Sequence, residues 1–121
     1  MPAKSSSSAG AIYLDRAQRI EELRRSAISA RVRMPEIRRV ILFGSLVTNS
    51  ATPRSDADIL IVVESSKHDH TRDRVPEMLR ALSPLPCPVD LFVVTCNEVD
   101  RFQAAGSPLL RVALKTGMDL L

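Results

Sequence analysis

The sequence predicts an α/β fold with a small mixed β-sheet flanked by helices. Two observations carry that reading. First, three short apolar runs rich in β-branched residues read as strands: "RVILF" at Arg39–Phe43, "DILIVV" at Asp58–Val63 and "VDLFVVT" at Val89–Thr95. Second, segments with apolar residues three and four apart alternate with them, which is the pattern of helices laid on a sheet.

The first helix spans Tyr13 to about Arg31. Tyr13, Ala17, Ile20, Leu23, Ala27 and Ala30 build one apolar stripe. Arg16, Arg19, Glu21, Glu22, Arg24 and Arg25 fall largely off it and read as a solvated face. Pro35 separates this helix from the first strand, which ends at Gly44. The run from Asp58 suits a strand covered on both faces. A polar, turn-like stretch, "ESSKHDHTRD", follows. Val75, Met78, Leu79 and Leu82 then support a helix with Asp73 as its N-cap and Pro76 in its first turn. "SPLPCP" is a rigid connection to the third strand, where Asp90 stands near the start. Asn97 is placed to cap a short helix that runs through Phe102 and ends at Gly106. Ser107-Pro108 opens another, with Leu110, Ala113 and Leu114 as its apolar side and Gly117 as its stop. "MDLL" has the character of a short edge strand.

Length and composition narrow the function classes. The 121 residues suffice for one domain with a modest core, here residues 12–121 behind a serine-rich flexible tail, 1–11. That tail has one lysine and no apolar stretch behind it, so it does not read as a secretory signal. No run approaches the ~18 apolar residues of a membrane span. A net charge of +3 is too small to argue for nucleic acid, and aromatics at 3% leave few platforms for stacking bases. Cys87 and Cys96 bracket a strand of about 20 Å, beyond disulfide reach. They read as reduced thiols of a cytoplasmic protein. His68 and His70 form an H-x-H without a third ligand at a recognisable spacing, so they read as loop residues. The absence of G-x-x-x-x-G-K-[ST] argues against a P-loop ATPase.

The chemistry gathers in "ILFGSLVTNSATPRSDADILIVV", Ile41–Val63. Asp56 and Asp58 are two apart, so in extended backbone both carboxylates point to one face. Asp90 opens another apolar strand. If the strands are neighbours with those ends aligned, three carboxylates meet, and like charges that close repel unless a cation binds between them. Hard divalent ions, chiefly Mg²⁺, fit such oxygen ligands and usually bring nucleotide phosphates with them. Gly44 lets backbone approach a ligand closely, and the Ser45 hydroxyl with the amides after it can hold phosphate oxygens.

The ordered set of strand, Gly-Ser, ten residues, Asp-x-Asp, strand, and a single Asp on a later strand resembles the DNA polymerase beta-type nucleotidyltransferase superfamily. The resemblance is greatest to its minimal nucleotidyltransferase (MNT) branch. Gly44, Ser45, Asp56 and Asp58 match the Gly-Ser…Asp-x-Asp motif, and Asp90 matches the third carboxylate. The likeness covers Tyr13 to the end. One departure stands out. Many relatives read Gly-Ser-x-Ala-Arg-Gly where this chain reads "GSLVTN", so Thr48 replaces an arginine and Asn49 a glycine. Asn tolerates the left-handed turn; the lost arginine removes a cation for phosphates.

The resemblance implies a nucleotidyltransferase fold and transfer of AMP from ATP to an acceptor hydroxyl. Two Mg²⁺ ions would be held by Asp56, Asp58 and Asp90, and the outer phosphates by Gly44 and Ser45. It also implies an acceptor: the hydroxyl of a HEPN-type toxin, with this chain as antitoxin. Two other readings stay open. A catalytically weak module could neutralise its partner by contact alone, which the missing arginine favours. Modification of a small molecule would ordinarily need an acceptor domain that this short chain lacks.

Overall fold

A computed structural model describes residues 4–48 and 56–121, the side chains of 4–15 excepted. In chain order the elements are α1 (Lys4–Arg33), β1 (Ile37–Phe43), α2 (Ser45–Thr48), β2 (Ala57–Val63), a 3₁₀ turn (Thr71–Arg74) and α3 (Val75–Leu82). They continue with β3 (Val89–Thr95), α4 (Cys96–Ala104), α5 (Pro108–Thr116) and β4 (Met118–Asp119). The strands form one sheet in the order β3-β2-β1-β4. β1 is antiparallel to β2 and β4, whereas β2 and β3 are parallel, so the sheet is mixed. A parallel pair needs a crossover, and α3 is its helix.

Helices cover both faces, which explains why β2 is almost continuously apolar. Ile59, Ile61 and Val63 point to one side, where they meet Ile20, Leu23, Ala27 and Ala30 of α1 and Met78, Ala81 and Leu82 of α3. Leu60 and Val62 point to the other, with Leu110 and Ala113 of α5 and partly buried Phe102 of α4. Leu60 is fully buried; truncating such a side chain to alanine costs about 2–5 kcal/mol. Among the described residues no helix is long and apolar enough to cross a membrane.

Several local expectations change. α1 starts at Lys4, well before Tyr13, and thus runs through residues that their serine content marks as a tail. Ala17 is exposed, so the described part of the stripe begins at Ile20. The Tyr13 side chain and Asn49 lie outside the described residues. Asp73 does not cap α3. It belongs to the 3₁₀ turn, and the N-cap position falls on Arg74, which makes no side-chain cap bond. Asn97 does not cap α4 either. Thr95 does, in a reciprocal capping box with Glu98. Ser107, Pro108 and Gly117 take the expected places around α5.

The reason for the Thr95 cap is a buried ion pair. Arg74 is 5% exposed and Glu98 8%. The Arg74 guanidinium donates to both Glu98 oxygens, at 2.6 and 3.1 Å, and to the carbonyls of Val93 and His68. Glu98 also accepts from the Thr95 amide. Hydrogen bonds to Arg74 first of all, and to Thr95, hold the Glu98 carboxyl below its usual range against the opposing effect of burial. The pair ties the segment after β2 to the end of β3 and the start of α4. Cys87 and Cys96 are free thiols on opposite ends of β3.

Candidate active site

The parallel register of β2 and β3 sets Asp58 beside Asp90. Both lie at the beginning of their strands. Side chains alternate along a strand, so they share a face with Leu60 and Phe92, the face that α4 and α5 cover farther along. Asp56 directly precedes β2, and its charge reaches Asp58. The structure therefore brings the three carboxylates predicted from sequence to one end of the sheet. Asp58 is half-buried, while Asp56 and Asp90 are exposed. Burial, then the charge of Asp90, then that of Asp56, raise the Asp58 carboxyl above its usual value.

Gly44 completes the arrangement from β1. Phe43 is the register partner of Asp58, so the chain leaves β1 immediately beside that carboxylate. Gly44 turns with φ +82°. A side chain there would be strained, and its Cβ would collide with the Asp58 Oδ2 atom. Ser45 then opens the single turn of α2, closed by bonds from the Val47 and Thr48 amides to the Gly44 carbonyl, both 3.1 Å. The Thr48 hydroxyl donates to the same carbonyl at 3.2 Å.

Two arginines of α1 that the sequence pattern assigns to a solvated face come to this end of the molecule. Arg16 Nε donates to the Leu46 carbonyl at 2.6 Å and Nη2 to the Val47 carbonyl at 3.2 Å. Arg19 lies near Cys87. The Cys87 thiol is pushed up by burial, with Arg19 lowering it and Asp56 raising it in turn. No sequence signal marks Arg16, because an off-stripe arginine is usually solvated and α2 is too short to announce a docking partner. His68 and His70 lie far along the chain from the carboxylates, in the segment between β2 and α3. His68 offers its carbonyl to Arg74.

Among the described residues no three His, Cys, Asp or Glu side chains stand close enough together to hold a metal ion as they are. The donor set nonetheless fits a hard divalent cation. It consists of carboxylate oxygens; the Asp58 carboxyl is raised by burial first and then by the charges of Asp90 and Asp56, and a cation relieves the repulsion among them.

Comparison with known proteins agrees with this geometry. Residues 21–115 match the model of the nucleotidyltransferase domain family. Among solved structures, the chain is similar to a candidate nucleotidyltransferase from Sulfolobus solfataricus, with 22% identity and a TM-score of 0.61, over 86% of this chain and 80% of that one. It is also similar to a chain of a toxin–antitoxin structure determined with AMP-PNP, with 18% identity and a TM-score of 0.51, over 81% and 72% of the two chains. At these identities the likeness is one of fold. No curated protein sequence matches. The family match takes in every strand up to β3 and both helical layers, with the carboxylate end of the sheet inside it, and this chain belongs to the nucleotidyltransferase domain family.

Proposed function

We propose that the protein transfers AMP from ATP to a hydroxyl of a partner protein, and that it is the antitoxin of a pair whose toxin is of the HEPN type. The observation that carries the reading is the side-by-side register of Asp58 and Asp90, with Asp56 adjoining. A module that bound only by contact would keep three repelling carboxylates without using them. The toxin–antitoxin structure with AMP-PNP supports the choice of partner and nucleotide.

In this reading Asp56, Asp58 and Asp90 hold the divalent ions. Bound Mg²⁺ would neutralise charge on the attacking and leaving oxygens. Gly44 and Ser45 bind and orient the outer phosphates, and the close approach of Gly44 to Asp58 keeps them beside the carboxylates. The acceptor oxygen forms a bond to the α-phosphorus as the bond to pyrophosphate breaks. Asp90, exposed at the strand mouth, receives the acceptor's proton.

The test is intact-mass spectrometry of the co-expressed partner after incubation with ATP and Mg²⁺. Wild-type protein should add nucleotide mass. Asp56→Asn combined with Asp58→Asn should add none while still forming the complex. Thr48, in place of an arginine, favours a second reading in which the protein neutralises its partner by contact. A partner that gains no mass with wild-type protein, yet is inactivated by it, establishes that reading instead.

A further inference from the structure

We infer that Arg16 is a positioning residue for the nucleotide, a guanidinium on α1 that fixes the Gly44–Ser45 turn by forking onto the carbonyls of α2. The inference rests on the nucleotide reading of the carboxylate site and adds a residue outside its motif. The described part of α2, Ser45–Thr48, is one turn. Within Ser45–Thr48 no backbone amide lies four residues beyond Leu46 or Val47 to meet their carbonyls. Arg16 supplies partners to two consecutive ones, Leu46 and Val47, from 30 and 31 residues away in sequence. The Leu46 side chain, 2% exposed, anchors the same turn in the core. The turn is therefore held from below by Leu46 and at its end by Arg16.

What the fork fixes is the start of α2. Val47 and Thr48 close the turn by donating to the Gly44 carbonyl. Gly44 sits in a left-handed conformation against Asp58. If the end of α2 frays, the bonds that define the Gly44 carbonyl direction go with it. A planar guanidinium can serve two adjacent carbonyls from fixed directions, whereas an ammonium is a single point.

The experiment uses full-length Arg16→Ala, Arg16→Lys and, as a control, Ser26→Ala. Ser26 is also on α1 and also docks it, through a 3.0 Å bond to the Pro84 carbonyl away from α2. Amide hydrogen exchange of Val47 and Thr48 is measured without nucleotide, and affinity for Mg·AMP-PNP by calorimetric titration. Arg16→Ala should speed exchange at both amides and weaken AMP-PNP binding, each roughly tenfold, the scale of a charge-assisted hydrogen bond. Arg16→Lys should not restore either, and Ser26→Ala should leave both near wild type. Equal effects of Arg16→Ala and Ser26→Ala, full rescue by lysine, or unchanged exchange in Arg16→Ala would each overturn the inference. Wild-type protein that does not bind Mg·AMP-PNP overturns the nucleotide reading itself; the exchange rates then still decide whether Arg16 holds the turn.

Discussion

Asp58 and Asp90 are register partners on parallel strands; Asp90 stays exposed, whereas Asp58 is half-buried. Its carboxyl is raised above the ordinary value. A carboxyl raised on folding binds its proton more tightly in the folded state, so ionising it costs stability. That cost is absent below the unfolded pKa and grows as pH rises through the window between the unfolded value and the raised one. Asp58→Asn removes it. Without metal, the variant should melt at or above the wild-type temperature near about pH 7, and the difference should vanish below about pH 4. Added Mg²⁺ should raise the melting temperature of the wild type and not of the variant. Melts in chelator and in Mg²⁺ across this range check both statements.

Gly44→Ala should lower stability by about 2 kcal/mol, since an alanine in the left-handed region is strained. The new Cβ also meets the Asp58 carboxylate, so that side chain must turn away. Urea unfolding measures the first effect. Loss of Mg·AMP-PNP binding in a variant that remains folded measures the second.

Glu98→Ala should cost about 3–5 kcal/mol, because it leaves the Arg74 charge buried without its partner. The depressed Glu98 carboxyl contributes stability that is present above the unfolded pKa and is lost as pH falls through the lower folded value. The gap between wild type and variant should thus narrow on acidification below about pH 4. Denaturant titrations at neutral and acid pH give both numbers.

Thr48→Arg places a cation at the position where the motif resemblance expects one. Thr48 is exposed, and its hydroxyl bond to the Gly44 carbonyl is given up. Mg·AMP-PNP should bind more tightly, by about tenfold at most, and the gain should shrink in high salt. Calorimetry at two salt concentrations decides it; equal or weaker binding would mean that position 48 does not face the phosphates.

The strands were legible because their signal is local. β-branched runs between polar turns mark β2 and β3, and Ser107-Pro108 and Gly117 bracket α5 by backbone chemistry alone. The meeting of Asp58 with Asp90 was legible only conditionally, since it depends on two strands being parallel neighbours. What the sequence hid was tertiary. Asp73 and Asn97 are good caps by type, yet the chain places Arg74 and Thr95 at those positions because a buried Arg74–Glu98 pair dictates where the turns fall. Arg16 carries no mark at all, as its partners are carbonyls, which every residue has.

The parallel course of β2 and β3 has a thermodynamic consequence. Their second residues, Asp58 and Asp90, carry the carboxylates, and the end of β3 leads to the Arg74–Glu98 pair. Five residues of extended chain separate Asp90 from Thr95, a span on the order of 17 Å. At that distance the two ends respond to substitution separately. Stability changes from Asp58→Asn and Glu98→Ala should add in the double variant to within about 0.5 kcal/mol, so strength lost at one pole of the sheet can be recovered at the other without disturbing either chemistry.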